Sequence, residues 1–135
     1  MKLTNFEIAN MFTFLGNLAE EEMNVKTSYR IGKILKKLST HHQDFEKARG
    51  ELVEQYAEKD KDGNYIPPKD DEGNEVEGKI MLTDPKKYNQ ELLELGQDEI
   101  DISFNILLTM DDLEVLNKKF SVGQIMILDP IIKED

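Results

Sequence analysis

The 135-residue chain has no cysteine and no tryptophan. Without cysteine there can be no disulfide and no thiolate nucleophile or metal ligand. That fits a cytoplasmic protein. Aromatic residues make up only 7% of the chain, so Leu, Ile and Met must supply much of the packing. No apolar run approaches the roughly 18–20 residues of a membrane span. The N-terminus does not read as a signal peptide, because Glu7 and Asn10 interrupt its apolar stretch. Phosphate-binding loops, dinucleotide fingerprints and nucleophile elbows are also missing from the sequence.

Basic residues are scarce relative to acids. Seventeen Lys and Arg face 28 Asp and Glu, for a net charge of −11. Phosphate backbones attract proteins through Lys and Arg, so general nucleic-acid binding is disfavoured. The charge is unevenly spread. Lys26, Arg30, Lys33, Lys36 and Lys37 fall in one stretch without an acid, whereas 58–77 carries eight acids against three lysines. A length of 135 residues sets one domain, 1–135, as the default, with an exposed hairpin-like loop at about 60–79.

What is abundant is helical periodicity. From about Lys26 to Lys59, Ile31, Leu35, Leu38, His42, Phe45, Arg49, Leu52 and Tyr56 recur in steps of three and four. That spacing draws one stripe along a helix. Ahead of it, Thr4 and Glu7 form a T-x-x-E capping box, with Leu3 and Ile8 at staple positions. A first helix follows, with Ile8, Met11, Phe12, Leu15, Leu18 and Ala19 on its apolar face. Gly16 in this helix predicts a close helix–helix approach, since glycine otherwise costs about 1 kcal/mol there. The short connection 23–25 predicts an antiparallel hairpin, with Thr27 or Ser28 capping the long helix.

Asp62-Gly63-Asn64 and Asp71-Glu72-Gly73-Asn74 are turn chemistry. They predict one exposed hairpin with Tyr65 and Ile66 near Val76, and no internal repeat is evident. Thr83-Asp84-Pro85 starts a third helix, which Gly96 should end. Ile100, Ile102, Phe104 and Ile106 alternate with polar residues, as a half-buried strand requires. Residues 107–116 are ambiguous, with a turn at Asp111-Asp112. Ser121 caps a short last helix.

Each candidate site competes with an ordinary structural explanation. The segment 60–66 resembles part of an EF-hand loop, but no register places both the glycine and the closing acid that calcium needs. It reads as an acidic turn. His41 and His42 are adjacent, about 100° apart on a helix, so they cannot form the i,i+4 pair of helical zinc sites. No metal or cofactor is expected, and no catalytic residue. Arg49 on the apolar stripe suggests a structural ion pair. Lys26, Arg30, Lys33 and Lys37 line one helix side and form a candidate surface for an acidic partner, or else a solvated face. Phe45, Arg49, Leu52 and Tyr56 form the second candidate, because the first helix is too short to cover them.

The layout resembles a family of small proteins encoded by phages and prophages of Gram-positive bacteria. The resemblance rests on V-K-T-S-Y-R-I-G-K at 25–33, D-F-E-K-A-R-G-E-L-V-E-Q-Y at 44–56, the D-G-N and E-G-N turns, Y-N-Q-E-L-L-E-L at 88–95 and the final S-V-G-Q-I-M-I-L. It implies a viral origin and a compact helical fold, and supplies no activity or site.

The expected fold is α+β and mainly α. A long antiparallel helical hairpin carries a third helix, a small β element and a short C-terminal helix. The expected function is that of a non-enzymatic phage accessory protein in the host cytoplasm, or in the virion, binding a host or phage protein or a second copy of itself. Two other readings are an acidic, nucleic-acid-mimicking inhibitor of a host nuclease or defence protein, and a virion structural or assembly component.

Overall fold

The Thr4–Glu7 capping box opens the first helix as its spacing predicts. In the computed structural model, which describes residues 1–134, the Glu7 N–H donates to Thr4 Oγ1 at 3.1 Å and the Thr4 N–H to Glu7 Oε1 at 3.0 Å. Strand β1 (Lys2–Thr4) leads into helix α1 (Asn5–Leu18), and helix α2 (Val25–Tyr56) follows. Later come α3 (Pro85–Gln97), β2 (Glu99–Asp101), α4 (Met110–Val115), α5 (Val122–Leu128) and a 3-10 turn at Asp129–Ile131. The architecture is α+β and mainly α, as expected. The chain groups into two compact units, one of residues 1–45 with 97–134 and one of 46–96.

In the first unit, α1 and the start of α2 form the antiparallel hairpin. Phe6 meets Phe45 edge to face at 5.9 Å, and Phe12 stacks on His42 at 4.6 Å. Early α1 residues thus face later α2 residues. Ile8, Met11, Leu15 and Leu18 from α1 are buried, as are Ile31, Ile34 and Leu38 from α2. Each such side chain contributes about 1.5–3 kcal/mol of burial. Gly16 does not serve a close approach, because a Cβ there would meet nothing within 4 Å. Asn24, rather than Thr27 or Ser28, caps α2; its Oδ1 accepts the Thr27 N–H at 2.8 Å. Thr27 is buried and its hydroxyl is used elsewhere.

The predicted strand over 100–106 is mostly not paired. Lys2, Leu3 and Thr4 register with Asp101, Ile100 and Glu99, and the ladder reaches only to the bond from the Ile102 N–H to the Met1 carbonyl. Leu3 therefore belongs to a strand as well as to the helix start. Past Ile102 the chain keeps its alternation, with Phe104 and Ile106 half-buried and Ser103 and Asn105 exposed, then bends at 105–106. The ambiguous stretch resolves into α4, opened by a second capping box between Thr109 and Asp112. Ser121 and Gln124 cap α5 in the same way.

In the second unit, the end of α2 is tied to the segment before α3. The Glu58 N–H donates to Met81 O at 2.9 Å, and the Thr83 N–H to Tyr56 O at 2.8 Å. Asp84 Oδ1 accepts the Lys87 N–H at 3.1 Å and opens α3 at Pro85. Helix α3 passes through Gly96 and ends at Gln97, one residue beyond the expected stop.

Between these anchors lie two hairpins rather than one. Asp60 Oδ1 accepts the N–H groups of Asp62 and Asn64, and Asp70 Oδ1 those of Glu72 and Asn74. The backbone bonds repeat with them. Gly63 donates to Asp60 as Gly73 does to Asp70, and Ile66 donates to Glu58 as Val76 does to Pro68. Lys59-Asp60-x-x-Gly63-Asn64 thus recurs ten residues later as Lys69-Asp70-x-x-Gly73-Asn74. This is an internal repeat the sequence reading passed over, because only four of its ten positions are identical. Gly63 and Gly73 sit at φ +82° and +86°, where a side chain is strained. Val76 accordingly pairs with Pro68, not with Tyr65 or Ile66.

Candidate functional site

The basic stretch of α2 is set in place by one carboxylate. Asp112 Oδ1 accepts the Thr27 hydroxyl at 2.8 Å, and Oδ2 accepts Arg30 Nη1 at 2.8 Å. The same Oδ2 accepts the Thr109 N–H at 2.8 Å and the Thr109 hydroxyl at 3.0 Å. One side chain therefore caps α4 and fastens α4 to the first turns of α2. Burial alone would raise the Asp112 pKa. The Thr109 N–H, the Thr27 hydroxyl, Arg30 and the Thr109 hydroxyl outweigh that and hold it at about 2, below its ordinary 3.8. Arg30 is thereby committed to structure and is half-buried.

The remaining basic residues line an open groove. One depression of about 240 Å³ has Lys33 and Lys37 on one wall and residues 103–106 on the other. A second, of about 590 Å³, is bounded by Lys26, Arg30 and Lys133. The two share Tyr29, Phe104, Asn105 and Ile106, so they form one continuous groove. Tyr29 is 58% exposed, with Lys33 Nζ 5.5 Å from its ring centroid. Lys26, Lys33, Lys37 and Lys133 are exposed, and none forms an ion pair among the described residues. The far wall is equally free. No hydrogen bond among the described residues uses the N–H groups of residues 103–107. The groove thus combines ammonium groups, an aromatic face and unpaired backbone.

Sequence reasoning found the basic stripe but missed Tyr29, Asn105, Lys133 and the role of Asp112. Tyr29 was legible in principle, since it lies three residues from Lys26 and four from Lys33 on the same side. Lys133 was not, because only the fold brings the C-terminal segment beside α2.

The second candidate group does not form a surface. Phe45 is 4% exposed and Tyr56 5%, so both are packing residues. Tyr56 packs edge to face on Tyr88 at 6.1 Å, so α3 supplies its cover. The Tyr56 hydroxyl is buried and outside hydrogen-bonding geometry. Burial first, then the nearby Glu91 and Asp84 carboxylates, push its pKa up to about 12. Leu52 is half-buried beside a shallow depression that also holds Glu91 and Leu95. Arg49 is exposed and pairs with Glu46 at 3.6 Å, one turn away on its own helix. His42, stacked on Phe12, is a seam residue with Nδ1 unpartnered.

Among the described residues, no helix is long and apolar enough to cross a membrane, and no three His, Asp or Glu side chains are grouped to hold a metal ion. Comparison with known protein families, with curated proteins and with solved structures found no match to this chain.

Proposed function

We propose that this chain is a non-enzymatic phage accessory protein that acts in the host cytoplasm by binding another protein, with the groove beside α2 as its contact surface. The observation that carries this reading is electrostatic. In a chain of net charge −11, four lysines line one groove without an ion pair among the described residues. A lysine that serves only to neutralise the chain's own acids gains by lying within reach of one. The phage origin rests on the resemblance of sequence layout.

The test compares affinity capture from infected cells by the natural chain and by a K26E/K33E/K37E variant. A partner retained by the first and lost by the second supports the proposal. An unchanged capture profile, or turnover of a substrate abolished by a point mutation, overturns it. The paired acidic turns favour a second reading, an acidic mimic of nucleic acid. That reading expects capture to depend on Asp60, Asp62, Asp70 and Asp71 instead of the lysines. A virion role expects the protein to copurify with particles and to form ordered oligomers in light scattering.

A further inference from the structure

We propose that the groove receives an extended, acidic segment of a partner protein, its carboxylates on the α2 lysines and its main chain against residues 103–107. This rests on the reading of the groove as a protein-contact surface and names what the surface recognises.

Two independent observations converge on that occupant. The first is the interrupted strand. Ile100, Ile102, Phe104 and Ile106 carry the alternation of a half-buried strand, yet the pairing with β1 ends at Ile102. Backbone N–H groups on a segment with apolar side chains turned inward are a usual place for an extended chain to add itself. Ser103, Phe104, Asn105 and Ile106 line the groove, and the N–H groups of 103–107 have no bond among the described residues.

The second observation is the opposite wall. Lys26, Lys33 and Lys37 lie on one helix side, and the eleven steps from Lys26 to Lys37 cover about 16 Å at the α-helical rise. An extended segment of about five residues has that length. Its alternate side chains fall roughly 7 Å apart on one side, a spacing the lysine stems can follow. Carboxylates match the lysines in charge, and the exposed Tyr29 ring offers an apolar face to a residue between them. Nucleic acid is the poorer fit, because the rest of the chain is strongly acidic and repels a long polyanion. A short acidic segment can be held within the groove alone.

The experiment uses the full chain and a labelled peptide of about ten residues alternating Glu and Val. Fluorescence anisotropy at low salt is expected to give a micromolar Kd. A K33E/K37E variant, altered only at exposed helix positions, should stay folded by circular dichroism and weaken binding roughly tenfold or more. Amide exchange followed by NMR should show new protection within 103–107 on peptide binding. Binding weaker than about 1 mM overturns the proposal. So does undiminished binding by K33E/K37E, a lack of protection in 103–107, or equal affinity for a single-stranded oligo-thymidine of similar length. If the cellular partner depends on the lysines but the peptide does not bind, only this inference fails. If the partner does not depend on them, the functional reading fails as well.

Discussion

A single carboxylate, Asp112, does the most to hold the groove in shape. Removing its charge leaves Arg30 and the buried Thr27 hydroxyl without their acceptors. Breaking a fully buried ion pair costs about 3–5 kcal/mol, and Arg30 is partly solvated, so D112A should cost nearer 2–3 kcal/mol. Urea denaturation at neutral pH would measure it. The pH dependence follows from the direction of the shift. Asp112 sits at about 2 in the fold against its ordinary 3.8. Its stabilisation is therefore complete above 3.8 and is lost as the pH falls through about 2. The gap between the natural chain and D112A should close over that interval. Tyr56 runs the other way. Its folded value of about 12 lies above the ordinary 10.0, so its contribution is complete below 10.0 and disappears as the pH rises through about 12. Phenolate absorbance should show one tyrosine titrating at about 12, and Y56F should lack that step.

Helix interiors and turns make opposite demands on glycine. Gly32 and Gly50 lie inside α2, and a Cβ at either would meet nothing within 4 Å. G32A and G50A should each stabilise the fold by about 0.5–1 kcal/mol, read as a rise in thermal midpoint. G63A and G73A should destabilise their hairpins by about 1–2 kcal/mol, because both positions need positive φ. These elements also show where sequence reasoning reaches. The caps at Thr4, Asp84 and Ser121 were legible because capping uses residues two or three apart. So was the α1–α2 hairpin, whose apolar stripes are local patterns. The Asn24 cap was passed over because Thr27 and Ser28 are equally good cap residues. Only the tertiary use of the Thr27 hydroxyl separates them. The strand over 100–106 was over-extended for a related reason. Alternation reports which side chains face the core, but pairing needs a second chain segment of matching length, and β1 provides three residues. The groove was half legible, in that Lys26, Lys33 and Lys37 share one helix while Lys133 and the other wall come from distant segments.

For the molecule as a whole, the dominant quantity is the excess of acid. A net charge of −11 on 135 residues repels itself in any compact state. Salt should therefore stabilise the protein. Moving from about 10 mM to 150 mM monovalent salt shortens the screening length from roughly 30 Å to 8 Å. A gain of about 1 kcal/mol, or roughly 4 °C in the thermal midpoint, is expected. The same salt should weaken any ligand held by the groove lysines. Stability and binding are thus expected to respond to salt with opposite sign, which separates a folding defect from a binding defect in any charge-reversal variant.

The paired hairpins at 58–77 carry a consequence for how this chain tolerates changes in length. The Glu58, Ile66 and Met81 backbones bond to one another, and the second turn closes on itself through Asp70, Asn74, Val76 and Pro68. The second copy is therefore a cassette, appended beyond the anchors and not required by them. Excision of residues 69–78 should leave both anchors joined, and a third in-register copy should be accepted as readily. Changes of five residues should not be, since they would put the turn glycine out of phase with its aspartate. Length in this part of the chain then varies in whole steps of ten residues.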